Sequence, residues 1–298
     1  MPSTREIRRR IRTVKNIAQI TRTFQMIASS RMRRAQERVQ RARPYAEQIR
    51  ELVSRLATVA GEDLGSELAL LRSRPVKRVG LIVISPNRGF CGALPSNINR
   101  KAASTALEIQ EEVQRAEGQR PAVSFVAIGR KGRDFVVRTQ QHLLAEFTQL
   151  SDNPSMNDAS AVAQVAMDAF LSGEVDVVYL VYARFVSTTS QQPVAIQLLP
   201  VQPPRSEGSS ERQRIDYIYE PDPGAIFEAL LPRYVDVQVY LALLEARASE
   251  ESARMVAMKN ATDNANELVD DLTLAYNKAR QASITTQILE VVAGAGEL

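Results

Sequence analysis

Residues 255–285 read MVAMKNATDNANELVDDLTLAYNKARQASIT, a stretch that reads as helix throughout yet is short of Leu and Ile. A helix of this length is marginal in water unless a broad apolar stripe is buried along it. The stretch does carry a seam. Small and apolar residues recur as Ala261, Ala265, Leu268, Leu272, Ala275, Ala279, Ala282, Thr286, Leu289 and Ala293. These steps alternate four and three, the spacing that keeps one face of a helix against a partner helix.

The other end of the chain carries the same signal. Ile7, Ile11, Val14, Ala18, Thr21, Gln25, Ala28, Met32, Ala35, Val39, Ala42, Ala46, Ile49, Val53, Leu56 and Ala60 follow one another in the same steps, with only Thr21 and Gln25 polar. At about 1.5 Å per residue, the N-terminal helix spans about 80 Å and the C-terminal one about 100 Å. Two such helices separated by a central domain pair most simply with each other, and antiparallel. Pro44 removes a backbone donor inside the first helix, which predicts a bend there and not an end. Gly61 and Gly65, before Pro75, predict the exit from that helix.

From Val76 the texture changes. VKRVGLIVIS, PAVSFVAIG, VDVVYLVYARF and QPVAIQLLPV are β-branched runs, with helical stretches at residues 93–114 and 157–171 between the first three. Buried strands alternating with helices predict a mainly parallel sheet covered on both faces. The Pro-, Gly- and Ser-rich residues 203–213 read as a flexible loop, and IDYIYEPDPG as a short strand and turn. The expected architecture is α/β: a long antiparallel coiled coil of the N- and C-terminal helices, plus a central Rossmann-like domain. Its boundaries are expected at 1–62 for the first helix, 76–220 for the domain and 224–298 for the last helix.

Charge is unevenly placed. Residues 1–43 hold 13 Lys or Arg against Glu6 and Glu37, and the rest of the chain holds 25 against 32 acidic residues. No apolar run approaches the eighteen or so residues of a membrane helix. One cysteine, Cys91, and one histidine, His142, supply too few ligands for a zinc site and no internal disulfide. No apolar block follows the charged N-terminus, so no secretory signal is read there.

Several separated motifs then carry a resemblance: EIRRRIRTVKNIAQITRTFQMIASSRMRRAQ (6–36), ARPYAEQI (42–49), NRGFCGAL (87–94), YEPDP (219–223), ESARMVAMKNATDNANEL (251–268) and YNKARQASIT (276–285). In this order, over essentially the whole chain, they resemble the gamma subunits of the F-type ATP synthase. The resemblance implies a rotary shaft, without catalysis or cofactor of its own, standing inside three alpha and three beta subunits. Its foot would sit against the epsilon subunit and the membrane c-ring, at the cytoplasmic face of a bacterial cell membrane, as a peripheral protein. It implies regulation of ATPase activity and ion flow. It also implies beta-subunit contacts at Arg8, Arg9, Lys15, Arg22, Phe24, Arg31, Arg280, Gln281 and Thr285, and epsilon or c-ring contacts at Tyr217 and Glu220. Phe24 stands where the family often has Met, and Pro86 and Asn87 depart from its usual loop.

The alternative is a basic coiled coil that binds nucleic acid, since dense Lys and Arg favour phosphate contacts. A basic zipper, however, places its Arg block before the heptads, whereas IRRRIRTVK lies within them and a large domain interrupts the chain. NRGFCGALPSN matches neither the dinucleotide-binding nor the P-loop spacing, and reads as a tight strand-to-helix turn with Cys91 as a small buried hydrophobe. His142 and the Asp270–Asp271 pair have no partners at catalytic spacing, and no catalytic residue is expected.

Overall fold

The computed structural model describes residues 3–203 and 222–295. Most of the expected 203–213 loop, the expected strand before Pro221, Tyr217 and Glu220 lie outside the described residues. The chain divides into two compact units, one made of Met1–Ser30 with Arg254–Leu298 and the other of Arg31–Ala253.

The larger unit is built on a five-stranded sheet. Its elements in chain order, together with the two helices it shares with the smaller unit, are α1 (Thr4–Glu67), β1 (Arg78–Ile84), α2 (Leu94–Glu117), β2 (Ala122–Ile128), α3 (Arg130–Arg138), β3 (His142–Phe147), α4 (Met156–Leu171), β4 (Val177–Phe185), β5 (Gln191–Leu199) and α5 (Pro223–Ala295). Strand order is β3-β2-β1-β4-β5. The first four strands are parallel and β5 is antiparallel to β4. The mainly parallel sheet expected from the β-branched runs is therefore present.

Alternation along the central strands assigns each residue to one of two cores. Val79, Leu81 and Val83 point to the face covered by α2 and α3, against Ile98, Ala102 and Val136. Ile82 and Ile84 point to the opposite face, against Ala163 and Phe170 of α4, Ile49 and Val53 of α1, and Phe227 and Leu231 of α5. A strand buried on both faces has no polar side to show, which is why β1 reads as an uninterrupted apolar run. α4 starts from a complete capping box: Ser155 accepts from the Asp158 amide, and the Asp158 carboxylate accepts from the Ser155 amide. Replacing Ser155 with Ala is expected to lower the stability of this unit by about 1 kcal/mol, read as a shift in urea midpoint at unchanged slope.

Two elements escape the sequence reading. β3 is an edge strand, HLLAEF, only partly buried and carrying Glu146, so it lacks the β-branched signature of its neighbours. α3, RKGRDFVVR, is short and strongly charged. His142 belongs to β3, exposed, with Nδ1 3.1 Å from Ser124 Oγ on the neighbouring strand. The glycines at 61 and 65 do not end α1, which continues to Glu67. A glycine inside a helix costs about 1 kcal/mol, a penalty a helix of this length absorbs. Pro44 also lies inside α1 without ending it.

Tyr182 and Tyr234 pack with the α4-side core. Burial pushes both phenols above their ordinary value; the Glu245 carboxylate adds to this at Tyr182, and Arg50 opposes it at Tyr234. A phenol with a raised folded value keeps its proton where the unfolded chain has lost it. Stability from this source is full below about pH 10 and falls as pH rises above it. Urea midpoints should hold up to about pH 10 and drop above it, and Tyr182→Phe should flatten that drop.

In the smaller unit, α1 and α5 lie side by side and antiparallel. The Thr21 and Thr262 hydroxyls meet at 2.7 Å, and an Arg8 guanidinium nitrogen donates to the Tyr276 hydroxyl at 2.6 Å. Between Arg5 and Ser30, Ile7, Ile11, Val14, Ala18, Thr21, Gln25 and Ala28 are buried or half-buried and the residues between them are exposed. This is the seam read from the sequence. On α5 the seam is shifted: Met258, Thr262, Ala265, Val269, Leu272, Tyr276 and Ala279 face inward. Leu268 is 46% exposed and Ala275 is exposed too, giving way to Val269 and Tyr276, and the expected seam positions Ala282, Thr286 and Leu289 are exposed as well. At Tyr276 the interface gains a ring that lies beside Arg8, 5.4 Å from guanidinium to centroid.

Candidate functional site

Setting Thr21 level with Thr262, equal steps in opposite directions bring Ala18 level with Ala265, Val14 with Val269, Ile11 with Leu272 and Ile7 with Tyr276. The same count brings Thr4 level with Ala279. α1 begins at Thr4, so from Arg280 onward α5 has no α1 residue level with it. Gln281 through Leu289 are all exposed, as are Val291 and Val292. Among them Ile284, Ile288, Leu289, Val291 and Val292 form a large apolar surface on a single helix. Scattered exposed hydrophobics need no explanation, but a contiguous apolar surface marks an interaction site.

The expected contact residues fall in two bands. Arg280, Gln281 and Thr285 are exposed at the start of the α5 overhang, where the Thr285 hydroxyl donates to the Gln281 carbonyl at 3.0 Å. Arg8, Lys15 and Arg22 recur every seventh residue and so line one flank of the α1 seam, all exposed, with Arg9 next to the first of them. Phe24, 49% exposed, lies on the other flank with Ile17, and Ile20 and Ile27 extend the same apolar stripe. Phe24 sits near the level of Asn260, about 30 Å along the helix from Gln281 at 1.5 Å per residue. The set is therefore not one site.

Arg31 stands apart, in the larger unit. Its guanidinium pairs with Asp152 at 3.2 Å and, at 3.9 Å, with Glu251. Arg8 likewise has a partner within the chain, Tyr276. Asp270 and Asp271 are exposed, as a solvated pair should be. Cys91 is buried in the turn between β1 and α2, and this turn is tight, with positive φ at Phe90 and Gly92.

One polar cluster has no counterpart in the sequence reading. In a sheet of this topology the chain reverses direction between β1 and β4, and ligand sites of such folds lie beyond the carboxyl ends of the strands at that point. Here α5 runs across those ends with a buried polar run. Ser249 donates to the Ala183 carbonyl at 2.8 Å and Ser252 to the Thr188 carbonyl at 2.6 Å. Arg247 reaches Asp152, Glu250 and Glu251 at 3.0, 2.6 and 2.9 Å. A cavity of about 70 Å³ remains, bordered by Ser85, Asn87, Gly129, Asp152, Arg247 and Glu250. The residues EARASEES carried a visible signal, a dense run of charges and serines along a helix that is mainly apolar just before it, but only the fold shows that they are inside.

Comparison with known proteins decides what these helices and this sheet belong to. A family model described as ATP synthase matches residues 3–298. The ATP synthase gamma chain of Dehalococcoides mccartyi is 49% identical, over the whole of both chains. The chain belongs to the ATP synthase gamma chain family. The gamma chain of Roseiflexus castenholzii is 50% identical over all of this chain and 99% of that one. In a solved mitochondrial ATP synthase from Euglena gracilis, one chain matches 98% of this protein and 93% of its own length, at a TM-score of 0.65 and 19% identity. A chain of the Tetrahymena thermophila ATP synthase central stalk and c-ring structure covers 81% of this one and 99% of its own length, at a TM-score of 0.58 and 23% identity. These two structures share the fold. Gamma-chain membership thus extends across both units and all the motifs that carried the resemblance. No helix among the described residues is long and apolar enough to cross a membrane.

Proposed function

We propose that this gamma chain is the central rotary shaft of an F-type ATP synthase, turning inside a ring of three alpha and three beta subunits and driven by a membrane c-ring. The observation that carries the reading is the α5 overhang: a helix exposed on all sides over Gln281–Leu289, with an apolar surface and no α1 residue level with it. Such a segment calls for a surrounding partner. A ring around it supplies one without fixing a single face.

The small seam and the basic flank of Arg8, Lys15 and Arg22 suit rotation. A deep apolar contact at one angle would make that angle an energy minimum and stall the shaft. An asymmetric helix pair in a threefold ring presents a different face to each beta subunit, and each shifts its conformational balance by its own contact energy, about 1.4 kcal/mol per tenfold. Arg9, Lys15, Arg22, Phe24, Arg280, Gln281 and Thr285 are the proposed contacts. Arg8 and Arg31 contribute with the donors left after their internal pairs. Tyr217 and Glu220 are the proposed contacts to the epsilon subunit and c-ring. Catalysis and nucleotide binding belong to the ring, and this chain sets their regulation and coupling from the cytoplasmic face of a bacterial membrane, peripherally.

The test mixes the purified chain with alpha and beta subunits. A stable, ATPase-active complex with one copy of this chain is expected. Failure to assemble, with salt-sensitive binding of duplex DNA instead, would transfer the basic helix to the nucleic-acid reading.

A further inference from the structure

The polar cluster beyond the strand ends joins both long helices to the α/β domain. Asp152, in the loop between β3 and α4, is its centre: Arg31 of α1 approaches one carboxylate oxygen at 3.2 Å and Arg247 of α5 the other at 3.0 Å. Next to it Asn153 accepts from Arg38, one further α1 residue. Arg247 holds Glu250 and Glu251 as well, and Glu251 is only 1% exposed. On the other side of the sheet's reversal point, Ser249 and Ser252 bond to backbone carbonyls at the end of β4 and in the β4–β5 turn. α5 is thus held by directional bonds on two sides.

Apolar packing surrounds this level. Val39, Leu244 and Ala248 form a small core of their own, and the α4-side core continues beyond Leu243. Apolar contact is non-directional, and resists a twist only as far as side chains interlock. Charge-assisted hydrogen bonds are directional; Arg247 and Glu251 are largely buried while Asp152 and Arg31 are half-exposed, so the bonds of Asp152 add direction and little stability. We infer that Asp152, Arg247 and Arg31 form a torsional clasp that locks the rotation of α1 and α5 to the α/β domain, with Arg247 as the positioning residue. In the shaft reading, on which the mechanical role rests, torque entering through the domain passes into the helices at this level.

Asp152→Ala is the informative variant because Arg247 keeps Glu250 and Glu251 as partners, so no buried charge is left unpaired. In the isolated chain, amide exchange of residues 247–252 should quicken about tenfold while β1 and α4 stay protected. Asp152→Asn, which keeps an acceptor, should lie between. In the complete membrane complex, ions pumped per ATP hydrolysed should fall about twofold or more with the hydrolysis rate retained. Ser155→Ala, a loss of stability three residues from Asp152 that removes none of the ion pairs, should leave that ratio unchanged. Unaltered exchange at 247–252 overturns the clasp whatever the chain's wider role. Quickened exchange with an unchanged pumping ratio overturns its part in transmission, and loss of assembly by the unmodified chain is the separate failure of the shaft reading.

Discussion

Gly129→Ala is expected to destabilise the larger unit by about 3 to 5 kcal/mol, the largest effect of any single methyl group considered. Gly129 precedes α3 at the carboxyl end of β2, with φ 86° and ψ 149°, a region that is nearly exclusive to glycine. A Cβ there would lie 1.9 Å from the Ser85 carbonyl oxygen, far inside contact distance. The carbonyl cannot simply retreat, because the Ser85 amide is bonded to the Ile128 carbonyl at 2.9 Å and the Gly129 amide to Phe147 at 2.9 Å. For a unit of this size the melting temperature should drop by about 10 °C or more. Gly118→Ala is the control: its φ is also positive, at 74°, but nothing lies within 4 Å of the added carbon. It should cost about 1 kcal/mol. Similar losses at both positions would show that backbone strain alone acts, without the clash.

Ending the chain after Gln281 is expected to separate folding from coupling. The seam from Met258 to Ala279 stays whole, and the removed side chains through Leu289, like Val291 and Val292, are exposed, so the melting of the larger unit should change by no more than about 0.5 kcal/mol. The same cut removes Ile284, Ile288, Leu289, Val291 and Val292. Burying such side chains against a partner is worth about 1.5 to 3 kcal/mol each when complete. Even a fraction of that total exceeds the 1.4 kcal/mol of a tenfold change. ATP-driven ion pumping by the assembled complex should therefore fall at least tenfold. Equal damage to folding and coupling would mean that the end of α5 packs within its own chain.

Period and texture made most of the fold legible. The N-terminal seam from Ile7 to Leu56 is buried or half-buried where its heptad steps place it, because a helix surface repeats with its sequence and small side chains at those steps face a neighbour. β1, β2 and β4 were legible for a different reason, double burial, which leaves no polar position in the run. β3 and α3 were not, since an edge strand and a short charged helix are half solvated and carry no such constraint. The contact residues were named by resemblance: among those expected against beta, Arg31 stands in an ion-pair network and the others lie in two bands along α1 and α5, while Tyr217 and Glu220 lie outside the described residues.

The sequence by itself determined the two terminal helices, the alternating α/β centre and, through its motifs, the family. Only the tertiary structure decided which α5 residues form the seam, because Leu268 and Val269 are equally apolar and differ by one step of rotation that packing against α1 selects. It alone decided that Glu251 is inside and that Asp152 joins two helices. Partners nearly a hundred residues or more apart in the chain leave no local pattern, and whether a charge is buried depends on what covers it.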